Sequence, residues 1–446
     1  MENPPLVVTI HERNINKTVI LALVIQVVGV GLGYLLQFLL ARWMGGSEYG
    51  TYASTVAWAT AIAALAAFGL PNSVLRFVPE YSALGDLGRL KGFIRSSYAV
   101  SLALGGAAGL LSGLLFVVLR HHAARSSLAI LLFCSWLVPI LTVSSVQSQL
   151  CRGFKWIAMA LAWPMIVRPL SIVAVAFLFF HSRHALTSGT SVTILGTAVI
   201  LIAIVQGLLF RWNLPRSLGA VPPQFDHKMW LSVSIPLWLI SGFSIVLNQL
   251  DILMVSARLG VKAAGQYNVA SCSSDMVVLG LIAVNAIAAP TYASLFAQGK
   301  RDEMQTFACR IAFWICWPAV AISTILACFA HAILASFGPE FAPASTAMIV
   351  LALGQLVNAG AGSVGYLLSM TGHQNESARV LAWTALVNIS LNYVGITYFG
   401  LTGAAVATAF SMALWNIWLY QLVVRHLSVR PSILFAIASK LRPSEA

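Results

Sequence analysis

The chain has 446 residues, of which 59% are hydrophobic and only 9% are charged, and its mean hydropathy is +0.86. Because a soluble domain carries roughly 25% charged residues, this composition excludes a soluble globular protein and predicts a surface that faces lipid. The formal net charge is +13. Because the basic residues are concentrated on the predicted cytoplasmic side of the membrane, where they contact anionic headgroups, we expect no nucleic-acid partner.

Twelve apolar runs are each near the 20 residues that an α-helix needs to cross a bilayer. They occupy residues 18–41, 50–75, 93–119, 128–150, 156–180, 192–211, 230–257, 265–291, 306–330, 346–370, 378–399 and 401–424. The first run exceeds the roughly 7–15 residues of a secretory signal core and no small-x-small cleavage motif follows, so we interpret it as a retained span. The sequence therefore predicts an all-α polytopic membrane protein with twelve transmembrane helices.

The distribution of basic residues predicts the orientation of these spans. With the N-terminus inside, the tails, the even-numbered loops and the adjoining ends of the spans hold 19 Lys and Arg residues, against 6 in the odd-numbered loops. This asymmetry places both termini in the cytoplasm. After span 12, residues 431–442 combine apolar side chains with Lys440 and Arg442, a pattern that predicts a short helix on the cytoplasmic interface. Tryptophans near span ends, including Trp212 and Trp230, are expected in an interfacial belt.

A passage in the first half of the chain recurs about 215 residues later. The Gly-x4-Gly-x-Tyr pattern of residues 45–52 returns at residues 260–267, each time between two apolar runs. The correspondence continues, because residues 85–89 are matched by residues 299–303. Internal duplication in a membrane protein is typical of transporters, whose substrate sites lie between the repeats.

The position of the polar linker predicts the domain organisation. Six spans precede it and six follow, so both halves enter the membrane from the same side and are expected to be parallel repeats. The predicted parts are an N-terminal lobe at 1–211, a cytoplasmic linker at 212–229, a C-terminal lobe at 230–425 and a cytoplasmic tail at 426–446. Two pseudo-symmetric six-helix lobes are expected to surround a central cavity.

Enzymatic motifs are missing from the sequence. There is no Walker loop, no HExxH and no GxSxG, and the glycines of residues 29–33 lie in a membrane span with no strand before them. The six cysteines form no CxxC pair, so we interpret them as packing residues. A membrane-embedded polymerase or ligase usually carries a large catalytic loop outside, whereas residues 331–345 form the longest such loop here. We therefore predict no catalytic residue, no metal and no bound cofactor, and no enzyme.

Arg168 is the most informative charge inside the membrane. It lies at the middle of span 5, between Pro164 and Pro169, with apolar residues around it. A charge at bilayer depth costs roughly 2.5–3.5 kcal/mol, so it is a candidate functional residue by default. Its planar guanidinium suits bidentate binding of phosphate. The structural alternative is an ion pair with Asp251 or Asp275.

The two acids of the C-terminal half are candidates for coupling to an ion. Asp275 lies ten residues into span 8, and Asp251 lies in the outer half of span 7, one turn beyond Asn248. A buried carboxylate beside a cavity can exchange a proton or help to ligate Na⁺. We therefore assign Asp251 and Asp275 to coupling with H⁺ or Na⁺, and Asn248 to substrate binding. A simply solvated Asp at a span end is the alternative for Asp251.

Three further cations near the predicted cytoplasmic ends of spans are candidates for holding an anionic headgroup. Arg76 lies one turn before Glu80, after an expected kink at Pro71, and a local ion pair is its alternative. Arg95 and Arg310 begin spans 3 and 9 at matching places in the repeat. Snorkelling to lipid phosphate accounts for them equally well.

The chain resembles the oligosaccharide (polysaccharide-export) flippase family of the multidrug/oligosaccharidyl-lipid/polysaccharide exporter superfamily over nearly its whole length. The pieces that carry the resemblance are Gly45-x4-Gly50-x-Tyr52, Gly69-Leu70-Pro71, Arg76-Phe77-Val78-Pro79-Glu80-Tyr81, Gly85-Asp86, Asp251 before Gly260, Pro290 with Ser294 and Gly299, Phe337-Gly338-x2-Phe341, Met370-Thr371-Gly372 and Tyr398-Phe399-Gly400-Leu401-x-Gly403-Ala404-Ala405.

The resemblance implies a protein of the bacterial inner membrane that turns over undecaprenyl-diphosphate-linked sugar repeat units for O-antigen, capsule or exopolysaccharide. It implies alternating access driven by an ion gradient, with lipid-linked oligosaccharide, membrane lipid, and polymerase and export proteins of the same pathway as partners. Lipid II flippases of the superfamily usually have fourteen spans, which argues against that activity. The alternative is a cation-coupled multidrug exporter, although no acid lies within spans 1 to 6 and Glu80 follows at the cytoplasmic edge of span 2.

Overall fold

A computed structural model describes residues 12–121, 125–182 and 185–431, and within these ranges the secondary structure is helical, without strands. The α-helices are α1 (Glu12–Met44), α2 (Gly46–Ala66), α3 (Leu70–Leu84), α4 (Leu87–Leu119), α5 (Arg125–Gly153), α6 (Ile157–Ala162), α7 (Arg168–His181), α8 (Ser188–Asn213), α9 (Arg216–Ala220), α10 (His227–Leu259), α11 (Val261–Ser274), α12 (Leu279–Ala297), α13 (Arg301–Cys328), α14 (Ala330–Phe337), α15 (Ser345–Ala361), α16 (Val364–Met370) and α17 (Gln374–Leu427).

The helices follow the predicted spans. Eight helices in the described ranges are long and apolar enough to cross a membrane, and the bent pair α2 and α3 makes a ninth. One of the eight, α17, contains a non-helical residue at Gly400, which is the predicted boundary between spans 11 and 12. The predicted spans 7 and 8 are occupied by α10 and by α11 followed by α12. The fold class is all-α, and the predicted twelve-span arrangement matches the helices.

The chain divides by packing into two compact units, residues 1–245 (unit 1) and 246–446 (unit 2). The division falls within α10, so it does not test the predicted linker at 212–229 or the other predicted domain limits. In unit 1, α5 packs against α2, α3, α4 and α8, while α1 packs along α6 and α7. In unit 2, α15 packs against α13 and α17. The predicted interfacial helix at 431–442 lies almost entirely outside the described residues.

An aromatic cluster fills the part of unit 1 where α3, α4 and α10 meet. Phe93 makes edge contacts with both Phe77 and Trp230, at ring centroid distances of 5.1 and 5.2 Å. The Trp230 indole donates to the Tyr81 hydroxyl at 3.0 Å, and only 4% of Trp230 is exposed. The expectation of an interfacial Trp230 is therefore wrong, whereas Trp212 is 79% exposed.

The sequence repeat has a counterpart in the backbone. Gly45 and Gly260 adopt nearly the same conformation, with φ and ψ of 75° and 168° in one and 87° and 171° in the other. Both start the second helix of their repeat, and this conformation is essentially restricted to glycine. Further on, the N-cap residues Asp86 and Lys300 also agree, at φ −80°, ψ 75° and φ −83°, ψ 71°.

The match between Arg95 and Arg310 differs by one residue from the sequence expectation. Arg95 is the ninth residue after the N-cap Asp86, whereas Arg310 is the tenth after Lys300. One residue in an α-helix corresponds to a rotation of about 100°. The two arginines therefore lie at different angular positions on α4 and α13.

Two further local predictions differ from the structure. The break in span 2 lies before Pro71, at Gly69, whose φ of 71° separates α2 from α3 with a bend of 46°. The predicted outer loop at 331–345 is largely helical, because α14 and a 3₁₀ turn at Pro339–Ala344 occupy it. Phe337 and Phe341 are almost completely buried there and anchor this segment.

Candidate functional site

Arg168 begins a helix directly after an irregular turn in span 5. The α6 helix ends at Ala162, a π-helical turn covers Trp163–Val167, and α7 starts at Arg168. Proline lacks an amide donor, so Pro164 and Pro169 weaken regular α-helical bonding on both sides of the turn. Such π turns occur frequently at functional sites. The two prolines around one arginine were the sequence signal for this irregularity.

The first helix approaches the π turn closely at a glycine. A Cβ atom added to Gly29 would lie only 2.6 Å from the Cβ of Met165. Because real Cβ contacts are never that short, any larger residue at position 29 would push α1 away from the turn. Gly29 thus fixes the packing of α1 beside the turn that precedes Arg168.

The surroundings of Arg168 within unit 1 leave its charge uncompensated by protein. Its side chain is half-buried, and it interacts electrostatically with Tyr52, which is 3% exposed. Among the described residues of unit 1, no carboxylate lies within ion-pair distance of Arg168. A guanidinium at this depth is costly unless a counter-charge binds it. The arrangement is chemically suited to receive an anion.

Asp251 is held by a cage of hydrogen-bond donors in unit 2. It is 6% exposed, and its Oδ2 accepts hydrogen bonds from Thr408 at 2.5 Å and from Tyr267 at 3.3 Å. Its Oδ1 accepts from the side-chain amide of Asn392 at 2.8 Å. Donors on α11 and α17 thus surround a carboxylate on α10.

Two buried amide oxygens next to Asp251 lack a donor. The Oδ1 atoms of Asn388 and Asn392 are buried, and within the described part of the chain neither accepts a hydrogen bond. Asn388 also interacts with the Asp251 carboxylate through its side chain. Buried acceptors without partners are rare in native proteins. A carboxylate with two amide oxygens offers the oxygen ligands that hard cations such as Na⁺ prefer.

Asp275 starts a second irregularity, a 3₁₀ turn at Asp275–Val278 that separates α11 from α12. Its Oδ1 accepts a hydrogen bond from Gln355 at 2.8 Å. Gln355 in turn accepts from Asn358 at 3.3 Å, and Asn358 accepts from Asn416 at 3.1 Å. A chain of amide groups on α15 and α17 therefore ends on the Asp275 carboxylate, which keeps an exposed surface.

The other predicted site residues lie on exposed helix faces. Asn248 is on the exposed side of α10, one turn before Asp251. Arg76 forms the local ion pair with Glu80, at 3.7 Å, that was its alternative interpretation. Arg95 on α4 and Arg310 on α13 are both exposed.

Sequence reasoning did not identify the residues that complete the Asp251 site. In the sequence, Tyr267 stands out only as part of the repeat. Asn388 and Asn392 stand out only as polar residues in apolar spans, where weak contacts with sugar are one interpretation. Thr408 belongs to no pattern that would single it out. The signal that could have found them is polar residues at helical spacing in apolar spans, such as Asn388 and Asn392 four residues apart.

These helices adopt a fold that is similar to that of solved transporters of the MOP superfamily. The chain resembles the inward-facing conformation of a multidrug resistance MATE family transporter, with a TM-score of 0.72 and 14% identity over 90% of this chain and 94% of that chain. It also resembles a MOP superfamily transporter from Pyrococcus furiosus, described as having a binding pocket of reverse polarity. There the TM-score is 0.64 and the identity 13%, over 92% of this chain and 96% of that chain.

The sequence comparison defines the family. Residues 15–296 match the family of polysaccharide biosynthesis proteins, and because this is more than half of the chain, the protein belongs to that family. It is 22% identical over 422 residues to the uncharacterized membrane protein MJ1068 of Methanocaldococcus jannaschii, covering 89% of this chain and 82% of that protein. The family is therefore that of polysaccharide biosynthesis proteins, the fold is similar to that of solved transporters, and the apolar helices indicate a multi-pass membrane protein.

Proposed function

We propose that the protein is a flippase that moves undecaprenyl-diphosphate-linked oligosaccharide repeat units across the bacterial inner membrane, with both termini in the cytoplasm. The observation that carries this proposal is Arg168, a half-buried cation in the middle of span 5 without an acidic partner among the described residues of unit 1. In the proposed mechanism, Arg168 holds the diphosphate by charge-assisted hydrogen bonds while the isoprenoid tail stays in lipid.

The acids of α2 and α3 support an anionic substrate, because both are already engaged. Glu48 accepts two hydrogen bonds from Ser188, from the backbone amide at 2.6 Å and from the hydroxyl at 2.7 Å. It thereby caps the first turn of α8. Glu80 pairs with Arg76. Neither carboxylate is available to bind a cationic drug without giving up an existing partner.

In the proposed cycle, unit 2 supplies the coupling to an ion gradient. Asp251 would take up Na⁺ or H⁺ together with the amide oxygens of Asn388 and Asn392, which have no donor of their own among the described residues. Asp275 and the amide chain behind it form a second proton or cation acceptor. Alternating access would follow if ion occupancy favours one conformation over the other. Products of the cycle would pass to polymerase and export proteins.

A cation-coupled multidrug exporter is the second candidate function. It is favoured by the structural likeness to MATE transporters and by the exposed carboxylate of Asp275, which could attract a cationic drug. This exporter would need Asp275 for drug binding, and its drug binding would not change on loss of Arg168.

The experiment that separates these functions measures thermal stability of the purified protein in nanodiscs. The added ligands are undecaprenyl diphosphate, its lipid-linked sugars and a panel of cationic drugs. Stabilisation by the diphosphates that is lost in Arg168→Ala and kept in the control Arg120→Ala supports the flippase. Arg120 is an exposed cation that follows the last residue of α4, so it controls for the loss of one charge. Stabilisation by drugs alone, sensitive to Asp275→Asn, would support the exporter and refute the flippase.

A further inference from the structure

A basic cavity lies within unit 1, where α4, α5, α8 and α9 meet. Its volume is about 870 Å³, and its lining contains the four cations Lys91, Arg95, Arg211 and Arg216. None of its lining residues, all of which fall in the described ranges, is acidic. We propose that this cavity binds the phosphate headgroup of a membrane lipid. The proposal is independent of which substrate the transporter moves.

Three of the four cations are available to a ligand. Lys91 is engaged, because its ammonium donates to the carbonyl oxygens of Gly219 at 2.8 Å and Val221 at 2.7 Å. Arg95, Arg211 and Arg216 are exposed. In the described part of the chain, the side chains of these three make no ion pair and no hydrogen bond. Like charges gathered in one cavity repel each other, so a bound phosphate would relieve that repulsion as well as pair with them.

The faces of α4 and α8 next to the cavity change from basic to apolar along each helix, as a lipid site requires. On α4, Arg95 shares its face with Leu102 two turns further on, which is 62% exposed. On α8, Arg211 is preceded on the same face by Leu208 and Ile204, which are 52% and 53% exposed. A headgroup held by the arginines would therefore leave its acyl chains along exposed apolar side chains.

An exposed tryptophan supports a position of the cavity at the membrane interface. Trp212 follows Arg211, lines the cavity and is 79% exposed. Exposed tryptophan beside basic residues is typical of the headgroup region of a bilayer. Basic pockets at the ends of membrane helices are also typical sites for phospholipid headgroups. A soluble phosphate compound would gain nothing from these apolar and aromatic surroundings, so we commit to a lipid.

Occupation of the cavity would join the linker segment to the membrane helices. Arg216 lies in α9, Arg95 in α4 and Arg211 in α8, so one phosphate could bridge three elements. The same segment is already attached to α4 by Lys91 and by the backbone amide of Gln224, which donates a hydrogen bond to the backbone carbonyl of Gly88 at 2.9 Å. The lipid would therefore stabilise the packing of the linker against α4 and α8.

Two lipids share the required chemistry, an anionic phospholipid and an isoprenoid diphosphate. The test titrates the purified protein in neutral detergent with dioctanoyl phosphatidylglycerol and measures binding by thermal shift. Parallel titrations use dioctanoyl phosphatidylcholine, undecaprenyl diphosphate and sodium pyrophosphate. If undecaprenyl diphosphate competes with phosphatidylglycerol for binding, the result would support a site that binds both lipids. Binding of phosphatidylglycerol without that competition would support phospholipid as the ligand.

The variants compare cations of the cavity with one outside it. At roughly fivefold per basic residue, Arg95→Gln combined with Arg211→Gln should weaken phosphatidylglycerol binding about 30-fold. The control Arg120→Gln should bind normally, and no variant should melt below the wild-type temperature without lipid, since these side chains are exposed. Arg168→Ala should also bind normally, which separates this site from the proposed substrate site. Wild-type binding by the double variant, or pyrophosphate binding as tight as lipid binding, would overturn the proposal.

Discussion

Tyr267 donates a hydrogen bond to the carboxylate of Asp251 at 3.3 Å. Its repeat equivalent in unit 1, Tyr52, is also almost completely buried, but there the electrostatic partner is the cation Arg168. The duplicated helix pair therefore keeps the same tyrosine in both units, within electrostatic range of an acid in unit 2 and of a base in unit 1. In the proposed function, a charged lipid driven by a cation would use this division, with a cationic site for the substrate and an anionic site for the ion.

Asp251→Asn should abolish the response to the coupling ion while the protein still folds. The amide oxygen can replace Oδ2 as the acceptor for Thr408 and Tyr267, but the amide cannot carry the negative charge that a cation needs. If Na⁺ is the coupling ion, the increase in melting temperature on addition of Na⁺ should disappear in the variant. If H⁺ is the coupling ion, the dependence of transport on a pH gradient in proteoliposomes should disappear. Wild-type responses to both ions would show that this polar cluster has a structural role only.

Asp251→Ala should in addition lower stability. Thr408, Tyr267 and Asn392 would each lose the acceptor of a buried hydrogen bond. A buried polar group without a partner costs roughly 1–3 kcal/mol, so the free energy of unfolding should fall by at least that amount. The comparison with Asp251→Asn in a denaturant titration separates this structural effect from loss of coupling. Equal stability of both variants would contradict the three hydrogen bonds as described.

Arg168→Ala should stop export of polymer while the protein remains in the membrane. Charge-assisted hydrogen bonds contribute roughly 1.5–3 kcal/mol, so the affinity for undecaprenyl diphosphate should fall by about 10- to 100-fold. Arg168→Lys should retain part of the activity, because the charge remains but the bidentate geometry is lost. Complementation of an export-deficient strain measures this, with Arg120→Ala as control. Undiminished export by Arg168→Ala would remove this residue from the substrate site.

The chain of amides behind Asp275 gives a distinct prediction for Gln355→Leu. This change removes the donor to Asp275 and breaks the link to Asn358 and Asn416, while leaving the carboxylate in place. We expect impaired gradient-driven transport with normal binding of undecaprenyl diphosphate, measured by flux and by thermal shift. The surface variant Gln298→Leu controls for loss of an amide, since Gln298 is exposed. Normal flux would mean that the chain does not participate in coupling.

The helices could be predicted from the sequence, because the hydropathy of a segment and the position of a glycine are properties of neighbouring residues alone. Twelve apolar runs and the break at Gly400 required no knowledge of packing. The site could be predicted only in part: Arg168, Asp251 and Asp275 are conspicuous because charges are expensive in apolar spans. Their partners are not conspicuous, since Thr408 lies 157 residues from Asp251 and an isolated threonine is common in membrane helices. Likewise, burial of Trp230 depends on Phe93 and Tyr81, which periodicity cannot bring together.

The shared backbone conformation of the repeat can be tested at Gly260. Its φ of 87° and ψ of 171° lie in a region that other residues adopt only with strain of about 1–3 kcal/mol. An added methyl group would meet no atom within 4 Å, so Gly260→Ala should destabilise through backbone strain alone. Gly31→Ala is the matched control, because Gly31 also has open space but lies inside α1, where alanine is better than glycine by roughly 0.5–1 kcal/mol. Denaturant unfolding should therefore show opposite shifts for the two variants. Equal shifts would contradict the conformation that links the start of α11 to that of α2.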